Sequence, residues 1–185
     1  MGLSDIDLVT LAKAARDSAA FETLVRRHQA PLRAFLIRLT GDAPAADDLA
    51  QEALIKAYRG LDGFRGGSSF RSWLFAIAMR EAQMAKRKTI AREKIAAAAD
   101  LDDAGSEPAE FSIDLQRALA SLSEDERAAA LLCDAAGFSH AEAASAMAAP
   151  LGSVKTLVAR AREKLRAAMS DEIGNKGAAP DAACA

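Results

Sequence analysis

The residues best suited to chemistry lie near the C-terminal end of the chain, on a predicted helix rich in cations. Between Ser153 and Met169 the basic residues outnumber the acidic ones; they are Lys155, Arg160, Arg162, Lys164 and Arg166. A short helix predicted over residues 139–147 precedes this helix, and Pro150, Leu151 and Gly152 predict a turn between the two. Short helix, turn and basic helix are typical of a helix-turn-helix motif, whose second helix lies in the DNA major groove while its cations neutralise phosphates.

A second candidate nucleic-acid site is the Gly/Ser loop at residues 62–69. Its glycines permit close backbone approach, and its neighbours supply a cation, hydroxyls and an aromatic ring suited to an unstacked base; they are Arg65, Ser68, Ser69 and Phe70. Phe70 and Trp73 also fit core packing at helical spacing. That reading is favoured for Trp73, and both readings stay open for Phe70.

Acidic side chains cluster on the helix that precedes this loop. Asp47, Asp48, Gln51 and Glu52 share one face of it. Taken alone, such a cluster is a solvated surface more often than a binding site. The alternative is a contact with a basic partner.

Composition predicts an all-α protein. Apolar residues make up 51% of the 185 residues and aromatic residues only 5%, while Pro and Gly are scarce, which favours closely packed helices over sheets. The net charge of −2 hides an uneven order, because residues 80–94 are basic, 100–126 acidic and 153–169 basic again. No apolar run is long enough to span a bilayer, and the N-terminus does not resemble a signal peptide, so we expect a cytoplasmic protein without membrane insertion.

Catalysis is not expected. His28 and His140 lie far apart on separate predicted helices, and Cys133 and Cys184 have neither metal-ligand nor disulfide-framework spacing. Cys133 is interpreted as a buried small hydrophobe. The sequence therefore predicts a protein that is not an enzyme and needs no cofactor or metal.

The pattern of helices and turns divides the chain into two small helical domains. Residues 1–88 hold four predicted helices, with a helix start at Ser4 and with Pro31 expected to kink or split the second helix. Residues 89–112 are interpreted as a flexible acidic linker, because they lack the large apolar residues needed to offset ordering entropy. Residues 113–170 form the second domain, with capping boxes predicted at Ser123 and Ser139 and a cap at Ser153. Residues 171–185 are expected to be a disordered tail.

The helix-turn-helix residues also resemble a known family. Gly137 to Ala144, Pro150 to Thr156 and Arg160 to Leu165 are similar to region 4 of extracytoplasmic-function (ECF) sigma factors. In that family the region reads the minus-thirty-five promoter element. The resemblance implies DNA contacts at Ser153, Lys155, Thr156, Arg160 and Arg162. We predict that Lys155 and Thr156 bear on bases, while Arg160 and Arg162 mainly hold phosphates.

The first domain resembles region 2 of the same family. Residues 47–58 are similar to the helix that binds the clamp helices of the polymerase β′ subunit, which implies contacts at Asp47, Asp48, Leu49, Gln51, Glu52 and Lys56. Residues 64–74 resemble the loop and helix that capture and melt the minus-ten element. The implied DNA contacts there are Arg65, Ser68, Ser69, Phe70, Arg71, Arg80, Lys86 and Arg87. Some positions depart from the family pattern, among them Arg80, where Asn is common, and Leu157, where a basic residue is common.

The resemblance therefore predicts a sigma factor that binds RNA polymerase core, including the β flap, directs promoter recognition and strand opening, and serves a stress or envelope-response regulon. The long linker and the family together suggest control by an anti-sigma factor. Two alternatives stay open: a sigma-like decoy that binds an anti-sigma factor, and a simple helix-turn-helix repressor. The decoy usually carries a receiver domain, for which the chain has no βαβ pattern, and the repressor leaves the first domain unexplained.

Overall fold

The computed structural model describes residues 2–14, 18–97 and 113–176, and within these ranges every regular element is helical. Two helical units are present, as the sequence predicts. We call residues 2–97 the N-terminal unit and residues 113–176 the C-terminal unit. No helix in the described ranges is both long and apolar enough to cross a membrane.

Four helices build the N-terminal unit: α1 (Asp5–Ala14), α2 (Ser18–Thr40), α3 (Ala43–Arg59) and α4 (Phe70–Ala97). A single 3-10 turn, Leu61–Gly63, follows α3. The core is formed by large side chains of α2 and α4, which include Leu24, Leu32, Leu36, Leu74 and Phe75. Because α3 buries Ala46, Ala50, Ala53 and Ala57, its backbone lies close to its neighbours and its polar side chains face outward.

Short polar side chains cap two of these helices, and the start of α1 at Ser4 is where the sequence predicts it. Ser4 and Asp7 cap α1 reciprocally, since the Ser4 amide donates to Asp7 at 3.0 Å and the Asp7 amide donates to Ser4 Oγ at 3.3 Å. Asp42 caps α3 by accepting from the Ala45 amide at 2.9 Å. These bonds satisfy backbone donors that the first helical turn leaves unpaired.

The expected split of the second helix at Pro31 is wrong. α2 is one helix of 23 residues that continues through Pro31. Proline removes one backbone hydrogen bond, but Leu24 and His28 before it and Leu32 and Phe35 after it are all buried. Tertiary packing on both sides therefore outweighs the local loss.

The C-terminal unit consists of α5 (Ile113–Ala120), α6 (Glu124–Ala130), α7 (His140–Met147) and α8 (Leu151–Lys176). A π-helical segment, Leu131–Ala135, extends α6 and ends with the Ala136 amide donating to the Leu131 carbonyl at 2.8 Å. The predicted capping boxes at Ser123 and Ser139 are both confirmed.

Several boundaries differ from the sequence-based ones. The turn before α8 is centred on Ala148, whose φ of 50° is left-handed, and α8 begins at Leu151; Ser153 therefore lies in its first turn and is not its cap. α4 extends to Ala97, so helix covers the first part of the segment interpreted as a linker. The rest of that segment, residues 98–112, lies outside the described residues. α8 likewise extends to Lys176, into the segment expected to be a tail, and residues 177–185 lie outside the described residues.

The two units pack against each other, mainly α4 against α7. The Phe75 and Phe138 rings lie 4.9 Å apart between centroids, and both side chains are buried. At the other end of this contact, Arg127 of α6 donates to the Leu39 carbonyl at 3.2 Å. The structure therefore shows a closed arrangement in which the N-terminal and C-terminal units touch.

Candidate nucleic-acid interface

The basic helix α8 has two opposite faces. Val154, Val158 and Ala161 are fully buried and attach the helix to its unit, at helical spacing. Lys155, Thr156 and Arg160 are exposed, and among the described residues neither cation has an ion-pair partner. Ser153 is also exposed, in the first turn. The sequence-predicted base-reading residues thus share an open surface that a DNA groove could receive.

The orientation of α8 is set by α7 and the turn between them. Ser139 and Glu142 form a closed capping box, with the Ser139 amide donating to Glu142 at 2.9 Å. This backbone hydrogen bond lowers the pKa of Glu142, so the cap persists at neutral pH. The capping box fixes the start of α7, and the left-handed Ala148 fixes its end. The turn after α7 therefore sets the angle at which α8 leaves it.

Arg162 is occupied within its own unit. Its guanidinium donates twice to Asp134, at 2.6 Å and 3.1 Å, in the two-pronged geometry that arginine favours. The Asp134 hydrogen bond also raises the pKa of Arg162. Arg162 can hold a phosphate, as predicted, only by sharing or leaving Asp134.

In the N-terminal unit, the Gly/Ser loop exposes polar groups between two buried aromatic residues. Arg65 and Ser69 are exposed, Ser68 is half-buried, and Gly66 has a φ of 73° that an L side chain rarely adopts. Ser69 begins α4, because the Ser72 amide donates to its hydroxyl at 3.1 Å. The loop therefore presents a cation, hydroxyls and open backbone at a surface with little steric hindrance.

The proposed stacking role of Phe70 is not supported by its position. Phe70 is only 3% exposed, and its ring packs against Trp73 at 5.8 Å and against His28 at 5.5 Å between centroids. Burying this large ring removes its apolar surface from water, which stabilises the fold more than exposing the ring at the helix start would. Phe70 is a core residue that supports the loop from below. Trp73 is half-buried beside it.

Arg71 connects the two units. Its guanidinium donates to the Ala136 carbonyl and lies over the Phe138 ring, 4.3 Å from the centroid. The predicted minus-ten contact is therefore engaged by the C-terminal unit in this arrangement. Further along α4, Arg80 and Arg87 are exposed, while Lys86 pairs with Glu124 at 2.9 Å across the unit boundary.

Four of the six predicted polymerase contacts line a shallow groove between α3 and α4. Asp48, Leu49, Gln51 and Glu52 line it together with exposed Ile55. Ile55 was missed in the sequence, although its spacing from Asp48 and Glu52 places it on the same helical face. An exposed apolar residue within an acidic rim is a common feature of protein interfaces.

Two predicted members of this site face their own unit. Asp47 pairs with Arg33, which lowers the pKa of Asp47. Lys56 donates to Glu81 of α4 at 2.5 Å and lies 3.3 Å from Glu52, and the Glu81 hydrogen bond raises the pKa of Lys56. Lys56 thus joins α3 to α4 and orients the acidic face.

Within the described ranges, no three His, Cys, Asp or Glu side chains are grouped to hold a metal ion. Cys133 is half-buried, and burial raises the pKa of its thiol. The expected full burial of Cys133 is therefore only partly met.

Family models match both units in the order that the sequence predicts. Residues 24–92 match the model of Sigma-70 region 2, and residues 112–165 match that of Sigma-70, region 4. These matches define the class of protein as a sigma-70-type transcription initiation factor.

Whole-chain relatives narrow the class. The chain is 33% identical over 175 residues to the RNA polymerase sigma-H factor of Pseudomonas aeruginosa, covering 83% of this chain and 88% of the relative. It is 35% identical over 170 residues to the ECF RNA polymerase sigma-E factor of Escherichia coli K12, covering 80% and 86%. The chain belongs to the ECF sigma factor family.

A solved structure agrees with this assignment. The sigma factor RpoE of Bartonella quintana, in complex with the anti-sigma factor NepR, matches with a TM-score of 0.70 and 32% identity. The match covers 81% of this chain and 96% of that one. It therefore extends over both units.

Proposed function

We propose that this ECF sigma factor binds core RNA polymerase through α3, opens promoter DNA with the Gly/Ser loop, and reads an upstream element with the N-terminal half of α8. The observation that carries this proposal is the division of α8 into a buried apolar face and an exposed face with Lys155, Thr156 and Arg160. The polymerase performs the bond-forming chemistry, and the chain works beside it in the cytoplasm.

At the upstream element, side chains of the first turns of α8 meet base edges. Lys155 and Thr156 follow the first turn of α8, in which Ser153 lies, and are assigned to base contacts. The Thr156 hydroxyl donates to the Gly152 carbonyl at 3.0 Å, so its oxygen is left to act as an acceptor. Arg160 lies one turn further and is assigned to phosphate.

At the downstream element, the loop captures an unpaired base. Arg65 supplies charge, the hydroxyls of Ser68 and Ser69 supply hydrogen bonds, and Gly66 lets the strand approach the backbone. The exposed cations Arg80 and Arg87 continue the positive surface along α4. Capture of the unstacked base holds the strands apart once thermal opening exposes it.

The acidic groove on α3 fits a basic partner surface with an apolar centre. Asp48 and Glu52 provide charge that steers association, while Leu49 and Ile55 provide apolar area. We assign this groove to the β′ clamp helices of the polymerase and Gln51 to a polar contact at its rim. The C-terminal unit is assigned to the β flap, as the family resemblance implies.

The closed arrangement cannot bind both promoter elements together. The minus-ten and minus-thirty-five elements lie about 25 base pairs apart, or roughly 85 Å of duplex at ~3.4 Å per base pair. α4 and α7 are in direct contact here, so the units must separate before both elements are bound. Separation also releases Arg71 from Ala136 and Lys86 from Glu124 for DNA.

We further propose that an anti-sigma factor holds the chain inactive. The support is the similarity over both units to a sigma factor solved together with its anti-sigma factor. A partner that covers the α3 groove while the units stay closed would block core binding and promoter binding at once. The inducing signal would then act on that partner.

The test is in vitro transcription with purified core polymerase and a genomic promoter library. The full chain is expected to start transcription at a subset of sites that share two sequence elements. The double variant Lys155→Ala, Arg160→Ala should lose this subset, while Arg26→Ala, which removes an exposed cation on α2, should retain it. Core binding without initiation would refute the promoter role. If the chain captures an anti-sigma factor but never binds core, the decoy alternative is correct.

A further inference from the structure

The first helix contacts the Gly/Ser loop, although it lies outside the residues matched by the region 2 model, which begin at residue 24. None of the predicted site residues belongs to α1. Its Leu8 and Val9 are buried in the core of the N-terminal unit, where Phe64 and Phe70 also lie. The helix therefore packs beneath the loop that is assigned to strand capture.

α1 is attached firmly to α2 at its N-terminal end. Asp5 accepts from Arg27 at 2.9 Å and lies 2.6 Å from His28 Nε2, and Arg27 also donates to the Leu3 carbonyl at 2.7 Å. The Asp5 and Arg27 side chains are each only about a third exposed, at 31% and 37%. A helix held by two side chains of a neighbour has little freedom to slide along it.

From this base, one side chain of α1 hydrogen-bonds to the loop and a second lies beside it. The Lys13 ammonium donates to the Phe64 carbonyl at 2.9 Å, across 51 residues of sequence. The Ile6 Cδ1 atom lies 3.9 Å from the place where a side chain on Gly66 would begin. His28, which is paired with Asp5, packs on the Phe70 ring at the other end of the loop. Both residues that flank the exposed loop are thus connected to α1.

The Lys13 contact bears directly on the loop backbone. The Phe64 carbonyl belongs to the same rigid peptide plane as the Arg65 amide, so fixing the oxygen also fixes the direction in which Arg65 leaves the core. The Lys13 ammonium is engaged with this carbonyl in a partly buried position, and not presented to solvent as a phosphate ligand. A loop ordered in advance loses less entropy when it captures a base.

We propose that α1 is a positioning element for strand capture and that Lys13 is its positioning residue, acting through the Phe64–Arg65 peptide. This inference rests on the proposed function of the Gly/Ser loop. Ile6, whose side chain lies beside Gly66, supports the same loop. Neither residue needs to touch DNA for its effect.

The test uses holoenzyme assembled with the full-length chain. Lys13→Met removes the donor and keeps much of the length of the side chain, Lys13→Arg restores a donor, and Arg26→Met removes an exposed cation elsewhere as the matched control. Promoter opening is followed by permanganate reactivity. Binding is measured to single-stranded minus-ten oligonucleotides in which each base is changed in turn.

Lys13→Met is expected to lower opening and preferred-oligonucleotide binding about tenfold, the size of one hydrogen bond from a charged group, and to weaken discrimination between bases. Lys13→Arg should recover most of both, and Arg26→Met should match the wild type. Core affinity and upstream duplex binding should not change. Ile6→Ala, at an exposed site that tolerates truncation, should lower discrimination in the same direction.

Two results would overturn the inference. One is opening and base preference by Lys13→Met equal to wild type. The other is an equal loss on every oligonucleotide together with a weaker salt dependence, which would make Lys13 a phosphate ligand. Failure of the wild-type holoenzyme to open promoters would instead refute the proposed function. The two failures are distinguishable, because the first is seen in the wild type and the second only in the Lys13 variants.

Discussion

The two candidate DNA surfaces differ in how ready they are to bind. On α8, Lys155 and Arg160 are exposed and α7 fixes the angle of the helix. On α4, Arg71 is engaged by Ala136 and Phe138, and Lys86 by Glu124. Closing the two units therefore leaves the candidate DNA surface of α8 open while it occupies part of the candidate DNA surface of α4. Contact between the two units would therefore hinder DNA binding at α4 more than at α8.

The strongest test of this contrast is Phe138→Ala. Truncating a large buried aromatic residue costs about 3–5 kcal/mol, and much of that loss falls on the contact with Phe75 and Arg71. We expect the free variant to open, with a larger radius of gyration in small-angle scattering and faster binding of minus-ten single strands. Leu151→Ala, at an exposed apolar site on α8, is the control and should stay compact. A compact Phe138→Ala protein with unchanged binding would contradict the occupied-surface model.

The second largest effect is expected from substitutions on the exposed face of α8. Lys155→Ala should cost about 1–3 kcal/mol on the preferred upstream duplex and relax the sequence preference at one position. Arg160→Ala should weaken all duplexes alike and reduce the salt slope by about one. Duplex titrations at several salt concentrations separate the two. If Arg160→Ala shifted sequence preference with an unaltered salt slope, the division between base and phosphate contacts would be wrong.

A pH effect of intermediate size is expected mainly in the C-terminal unit, because Glu126 there is buried. In the N-terminal unit the pKa of Asp47 is also lowered, but its pair with Arg33 is about half exposed and should contribute little to stability. Glu126 is buried at the start of α6, and Lys164 of α8 donates to it at 2.7 Å, which lowers its pKa from the ordinary 4.5. A lowered folded-state pKa stabilises the fold above about pH 4.5, and that stabilisation is lost as the pH falls through the folded value. Acid should therefore loosen the C-terminal unit.

Circular dichroism follows the loss of helix in the whole chain, while tryptophan fluorescence reports on the N-terminal unit alone, because the single Trp is Trp73. Wild type should lose helicity in acid before its fluorescence changes. Glu126→Gln should be less stable at neutral pH, with a difference that shrinks on acidification. Equal stability of the two proteins at every pH would show that the Lys164 contact contributes nothing.

The smallest expected effect is release of Arg162. The pair with Asp134 is about half exposed, so its loss should cost the fold little. Asp134→Asn should make Arg162 available to phosphate, tightening upstream duplex binding a few-fold and steepening its salt dependence. Asp125→Asn, which changes an exposed carboxylate in the first turn of α6, is the matched control. Weaker duplex binding in Asp134→Asn would mean that the pair positions Arg162 productively.

Much of this organisation was predictable from short-range pattern. The helix start at Ser4 and the capping boxes at Ser123 and Ser139 appear where predicted, because a helix start depends on residues three or four positions apart. The buried stripe Val154, Val158 and Ala161 follows from helical period alone. The same period predicts that Lys155 and Arg160, which lie between the buried positions, are exposed.

Other features depended on contacts between distant residues. Pro31 stays inside one helix because side chains on both sides of it are buried, and Phe70 is buried because Phe64, His28 and Trp73 surround it. Arg71 meets Ala136 across 65 residues and Lys13 meets Phe64 across 51. No local rule predicts such pairs.

The sequence by itself determined the helical class, the order of the two units, most helix starts and the exposed basic face of α8, since each is a matter of composition or near-neighbour spacing. Only the tertiary structure decided which cations remain available and which aromatic rings are buried. The physical reason is that a charged or aromatic side chain gains comparable energy from DNA, from a buried neighbour or from a carbonyl. Which partner it meets depends on how whole helices pack.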